Sequence, residues 1–189
     1  MGVAIEQLKK EHSAIERMVA VLETVCQRLQ ASQPVDAAHI SQIVAFFRGF
    51  ADECHHGKEE AVLFPALEKA GIPREGGPVG VMLDEHQQMR GYLRGVDEAI
   101  ERLRAGDVGA SADIVRYAGN YAIMLRRHID KENSMLFRMA EMRLGPDQEQ
   151  QLAEQFEVIE TEKIGAGKHE ELHALLDRLE DIYRHGHAS

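Results

Sequence analysis

The chain has two cysteines among its 189 residues, no run of 18 apolar residues, and 22 basic side chains against 32 acidic ones. Neither Cys26 nor Cys54 belongs to a CxxC pair, and both fall at helix-interior apolar positions. That excludes a disulfide framework and a thiolate metal cluster, and leaves two buried free thiols, as expected in a reducing compartment. Without a long apolar run nothing spans a membrane. The N-terminal stretch MGVAIEQLKKEHSAIERM carries a charge every few residues and lacks the apolar core of a signal peptide. A net charge of −10 with dispersed Lys and Arg argues against a nucleic-acid backbone or an anionic membrane surface as partner. A soluble, cytoplasmic protein is expected.

What is there in quantity is helical periodicity. Ile5, Leu8, His12, Ile15, Val19, Leu22, Cys26 and Leu29 recur at steps of three and four, which makes one core-facing stripe. QASQP ends that helix, and Asp36 can cap a second one carrying Val44, Phe47, Ala51, His55, Glu59, Val62 and Ala66 on one face. Ala70-Gly71 closes it, and the Gly/Pro loop IPREGGPVG separates two halves. A third helix has Met82, His86, Met89, Leu93, Val96, Ile100 and Leu103 inward and stops at Gly106. A fourth, opened by Ser111 or Asp113, turns Tyr117, Tyr121, Met124, His128, Glu132, Met135 and Met139 inward and ends at Gly145-Pro146. No β-branched alternating run appears, so no sheet is expected. The fold class that follows is all-α, an up-down four-helix bundle over 1–145 built from hairpins 1–71 and 79–142. Residues 146–189 form a C-terminal helical extension, broken near Ile164-Gly165-Ala166-Gly167, that packs on the bundle through Leu172, Leu176, Leu179 and Tyr183.

The two hairpins repeat a chemical pattern. His12 is followed 43 residues later by the HxxxE pair His55 and Glu59, and His86 is followed 42 residues later by His128 and Glu132. Residues four apart share a helix face, about 6 Å apart along the axis. Glu59 and Glu132 replace apolar residues on seams of Phe, Val, Met and Ala, and a buried carboxylate costs several kcal/mol unless something positive faces it. No Lys or Arg stands on those stripes at that level, whereas four His do. A cation compensates two carboxylates and binds neutral imidazoles at once. Imidazole plus carboxylate without thiolate suits iron or manganese, and the duplication points to a dinuclear site. The candidate metal ligands are therefore His12, His55, Glu59, His86, His128 and Glu132.

Four strings, LKKEHSAIERM, CHHGKEEAVLFPALEKAG, MLDEHQQMRG and RRHIDKENSMLF, resemble the hemerythrin-like (HHE cation-binding) proteins over residues 3 to 142. The resemblance implies a four-helix bundle around two iron ions bridged by oxide, hydroxide or water, with manganese or zinc as alternatives. It implies that Glu59 and Glu132 bridge the ions, with His12 and His55 on one and His86 and His128 on the other. Oxygen carriers of this family have HxxxH on the third helix, where this chain has Arg90, a cation that cannot ligate. A coordination that is more open or differently completed is expected, and plain reversible oxygen carriage is not.

Aligning Glu59 to Phe64 with Glu132 to Phe137 sets the register of the second helix and turns His56 and Glu60 about 100° away. Glu16, His56, Glu60, His169 and His173 stay open as further ligands. No catalytic residue is assigned, since no phosphate loop and no GxSxG stand in the chain. The leading function is a non-haem di-iron protein that binds or senses dioxygen or iron, with a small molecule such as dioxygen as partner. A di-iron enzyme acting on hydrogen peroxide or nitric oxide, and a scaffold whose helices are stapled by metal, are the alternatives, because outer groups and access decide among them.

Overall fold

The computed structural model describes residues 2–165 and 167–184, and among these every regular element is a helix. Ala166, in the expected break, and residues 185–189 of the expected extension lie outside the described residues. Helix α1 is Val3–Gln30, α2 covers residues 37–69, α3 is Pro78–Arg104 and α4 covers residues 110–143. Helix α5 covers residues 146–164 and α6 is Lys168–Arg184. No helix among the described residues is long and apolar enough to cross a membrane.

The helix ends follow local chemistry. Asp36 caps α2 by accepting from the Ala38 N–H at 2.7 Å. Gly71 and Gly106 take the left-handed conformation, at φ 87° and 93°, that lets α2 and α3 close their last carbonyls. Helix α4 departs from expectation: neither Ser111 nor Asp113 caps it. It starts at Ala110 behind Gly109, whose N–H bonds Asp107 at 2.9 Å, and Asp113 lies in the first turn, paired to Arg102 and Arg116. The start of α1 has no capping side chain of its own. The buried Glu149 of α5 supplies one, accepting from the Ala4 and Ile5 N–H groups at 3.1 and 3.3 Å.

Two apolar cores sit at different levels of the bundle. One gathers Ile15, Met18 and Val19 of α1 with Phe47 and Phe50 of α2, Met89 and Leu93 of α3, and Tyr121 and Leu125 of α4. Leu172, Leu176, Leu179 and Tyr183 of α6 seal its side. The other joins Ile5, Leu8, Leu63, Met82, Phe137 and Phe156. Between them, on all four bundle helices, lies a layer of buried imidazoles and carboxylates.

Gly95 shows how closely α3 and α4 approach. A Cβ there would stand 2.7 Å from the Tyr117 ring. Overpacking costs about 1–3 kcal/mol, against roughly 1 kcal/mol of helix propensity gained from alanine. Gly95→Ala should therefore lower the melting temperature by a few degrees, as measured by circular dichroism. A rise would mean that Tyr117 swings away freely.

Candidate metal centre

The backbone of the site is locally wide. α2 has i→i+5 turns over Phe47–His56 and Glu59–Leu63, and α4 has one over Glu132–Leu136. Such turns reduce the angle between consecutive residues and change the register of whatever follows. Both consequences are visible. Met135, expected inward, is 44% exposed, and Leu136, Phe137 and Ala140 take the inward positions. On α2, His55 and His56 both face the interior, whereas α-helical geometry would have turned His56 away.

All six sequence-predicted residues meet, each no more than 2% exposed, and His56 joins them. Two groups result, His12, His55, Glu59 and Glu132, and His56, Glu59, His86 and His128. Within each, the candidate ligand atoms lie within 4.8 Å of one another. The Nε2 atoms of His12 and His55 are 2.9 Å apart, and those of His86 and His128 are 3.1 Å apart. That is about the spacing of two nitrogens sharing one ion when metal–nitrogen bonds run ~2.1 Å. Each carboxylate reaches across the two groups. Glu132 oxygens stand 3.1 Å from His12 and 3.1 Å from His128, and Glu59 oxygens stand 3.6 Å from His55 and 3.5 Å from His86. None of these four oxygens has an aligned hydrogen-bond donor among the described residues, and neither does Nε2 of His56. Buried polar atoms left this way are rare in folded proteins, and a cation would satisfy all of them.

His56, left open as a further ligand, bears on the expectation of a more open or differently completed coordination. Its ring stacks on His86 with centroids 3.9 Å apart. It adds an imidazole from α2 to the group that could hold a metal with Glu59, His86 and His128. Arg90 faces outward instead, bonding Asp52 at 2.7 Å and Glu60 at 2.8 Å. Glu16 is exposed and outside both groups. His169 packs tilted and His173 edge-on against the Phe50 ring, His169 lies 3.8 Å from Glu160, and neither belongs to the two groups.

A ring of outer partners fixes each imidazole, and sequence reasoning missed most of it. Nδ1 of His55 bonds Glu11 at 2.8 Å and Nδ1 of His128 bonds Glu85 at 3.0 Å. Nδ1 of His86 bonds Glu60 at 2.8 Å and Nδ1 of His12 bonds Asn133 at 3.0 Å. Nδ1 of His56 is 3.4 Å from Asp52. Every ring thus presents Nε2 inward, as outer carboxylates make metal-bound histidines do. The signal was in the repeat: Glu11-His12 and Glu85-His86, then Lys58-Glu59-Glu60 and Lys131-Glu132-Asn133. Glu11 pairs with Lys58 and Glu85 pairs with Lys131, so the duplication extends to this outer ring.

Electrostatics prepare most rings to ligate. Burial pushes His55 down to about 4 against the pull of Glu11, pushes His56 well below its ordinary value, and lowers His86. Burial also acts on His128, but Glu132 and Glu85 outweigh it and lift His128 to about 9. Burial, then the neighbouring Glu132, pushes Glu59 up. Glu132 is held down despite burial by His128 and His12. The metal-free protein therefore keeps a proton on His128 at neutral pH, and Glu59 holds its proton more tightly than an ordinary carboxyl group, so protons compete with loading at both residues. Because both values are raised, proton competition is strongest at low pH. Metal affinity should climb as pH rises towards 9, as read from binding isotherms at several pH values. A flat profile between pH 6 and 9 would contradict this arrangement.

The comparisons agree with the geometry. Two uncharacterized proteins, one from Mycobacterium bovis and one from Mycobacterium tuberculosis, are each 25% identical to this chain over 179 residues. The match covers 95% of this chain and 68% of theirs. No solved structure matches it. The hemerythrin HHE cation binding domain matches residues 3–140. A cation-binding family and a buried His/Glu layer able to hold a metal thus fall on the same residues, and the chain belongs to the hemerythrin HHE cation-binding family.

Proposed function

We propose that this is a non-haem di-iron protein that binds or senses dioxygen or iron, with His12, His55, His56, Glu59, His86, His128 and Glu132 as its ligands. The observation that carries the reading is the shared carboxylate pair. Glu59 and Glu132 each stand between an imidazole of one group and an imidazole of the other, with oxygens that lack aligned donors. Two ions held side by side would use both oxygens of both carboxylates. Five imidazoles and two carboxylates without a thiolate favour iron or manganese over a soft-metal site. When bound, a reducible iron pair would supply the electrons that dioxygen accepts.

The chain's own residues set the conditions for that chemistry. All seven ligands are buried between two apolar cores, which favours a small uncharged ligand over a large or charged substrate. Glu11, Glu60 and Glu85 hold the rings in the tautomer that leaves Nε2 free to ligate.

The test is to load the protein with Fe(II) anaerobically, admit oxygen, and follow the optical spectrum and oxygen uptake together. The expected result is uptake in proportion to the iron pairs, with a spectrum that azide perturbs. Sustained turnover of hydrogen peroxide or nitric oxide would make it an enzyme instead. A spectrum indifferent to both oxygen and azide would reduce the metal to a helix staple.

A further inference from the structure

The two halves of the centre repeat each other inside the bundle but differ outside it. Lys131, which backs Glu85 on the His128 side, is about one-third exposed and borders an open cavity of about 630 Å³. Lys58, its counterpart on the His55 side, is fully buried. Lys58 Nζ bonds Glu11 at 2.6 Å and also Glu160 of α5 at 2.8 Å. Glu160 accepts in addition from Gln7 at 3.4 Å. A continuous chain of contacts therefore runs from the C-terminal extension through Lys58 and Glu11 to Nδ1 of His55.

We propose that Glu160 is a positioning residue for the His12 and His55 half of the centre, so that the extension sets that half's metal affinity independently of the other. The inference rests on the two-metal reading above. Charge supplies the reason. Glu11, Lys58 and Glu160 together carry one net negative charge behind His55, whereas Glu85 and Lys131 sum to zero behind His128. Without Glu160, Glu11 is the carboxylate left to the buried ammonium among the described residues, and the ammonium draws it away from His55. The imidazole then becomes a weaker donor and its ring less firmly held. Removing a direct outer partner of a metal ligand lowers affinity roughly 10- to 100-fold. Glu160 acts one contact further out, so a loss of about threefold to tenfold is expected, confined to one of two binding steps.

The experiment is an anaerobic Fe(II) titration against a competing chelator, on the full chain and on Glu160→Gln, Glu160→Asp and Glu162→Gln. Glu162 is an exposed acid on the same turn and serves as the charge control. Glu160→Gln should weaken one step and leave the other near its wild-type value. Glu160→Asp should recover most of the loss, and Glu162→Gln should match wild type. Unchanged steps in Glu160→Gln would overturn the inference. So would an equal loss in both steps accompanied by a lower melting temperature of the metal-free variant, because that describes a merely structural contact. If Glu160→Gln does not fold, Glu160→Ala takes its place beside Glu160→Asp: one step weakened selectively in Glu160→Ala and recovered in Glu160→Asp is expected, and unchanged steps in Glu160→Ala would overturn the inference. Wild-type protein that takes up no iron would overturn the inference together with the reading beneath it, whereas two clean wild-type steps with no selective change in the variants would overturn the inference alone.

Discussion

Stripping the metal from loaded protein should lower its melting temperature by about 10 °C. Binding to the native state alone stabilises by about 4 kcal/mol when free metal stands at roughly a thousand times its dissociation constant. In a domain of this size each kcal/mol moves the midpoint by about 2–4 °C. The metal-free protein leaves both oxygens of Glu59, both of Glu132 and Nε2 of His56 buried without aligned partners. Burial and the neighbouring Glu132 also make the charged form of Glu59 costly there. Differential scanning calorimetry with and without chelator checks this directly. Coincident transitions would mean that the buried layer is satisfied without a cation.

Replacing Glu59 should have an effect no surface acid can match. Glu59 clusters with both ligand groups, Glu132 clusters with the His12 and His55 group and also reaches His128 of the other, and Glu60 clusters with neither. Glu59→Leu should leave essentially no ion bound after gel filtration, and Glu132→Ala should empty the His12 and His55 half first. Glu60→Ala removes an outer partner of His86 and should weaken binding roughly 10- to 100-fold without abolishing it. Stability should move the opposite way. Glu59→Leu removes two unpartnered buried oxygens at little change in volume, so its metal-free form should be more stable than metal-free wild type by about 1–3 kcal/mol. A residue placed for packing would destabilise both forms when replaced. Equal metal loss in Glu59→Leu and Glu60→Ala would reverse the register of α2.

Much of this was legible in the sequence because it repeats. Seams of Ile, Val, Leu and Met at steps of three and four give the helices, and His and Glu interrupting those seams at matching positions give the buried layer. His56 was legible only as an open candidate, since its inward placement depends on the wide turns of α2, which no helical periodicity encodes. The outward turn of Met135 has the same cause on α4. The outer ring was partly legible in the doubled Glu-His and Lys-Glu pairs, although a charged residue beside a seam is ordinarily a solvated one. Glu160 was not legible, because its contact with Lys58 spans 102 positions and depends on how α5 packs against the bundle.

The most direct measurement is the metal content of folded protein after anaerobic reconstitution with Fe(II), read by elemental analysis beside the Fe(II) optical and magnetic signals. The two groups predict two iron ions per chain, magnetically coupled through Glu59, common to both groups, and Glu132, which reaches an imidazole of each. Folded protein that takes up no iron, or that saturates at one isolated ion, would contradict the account.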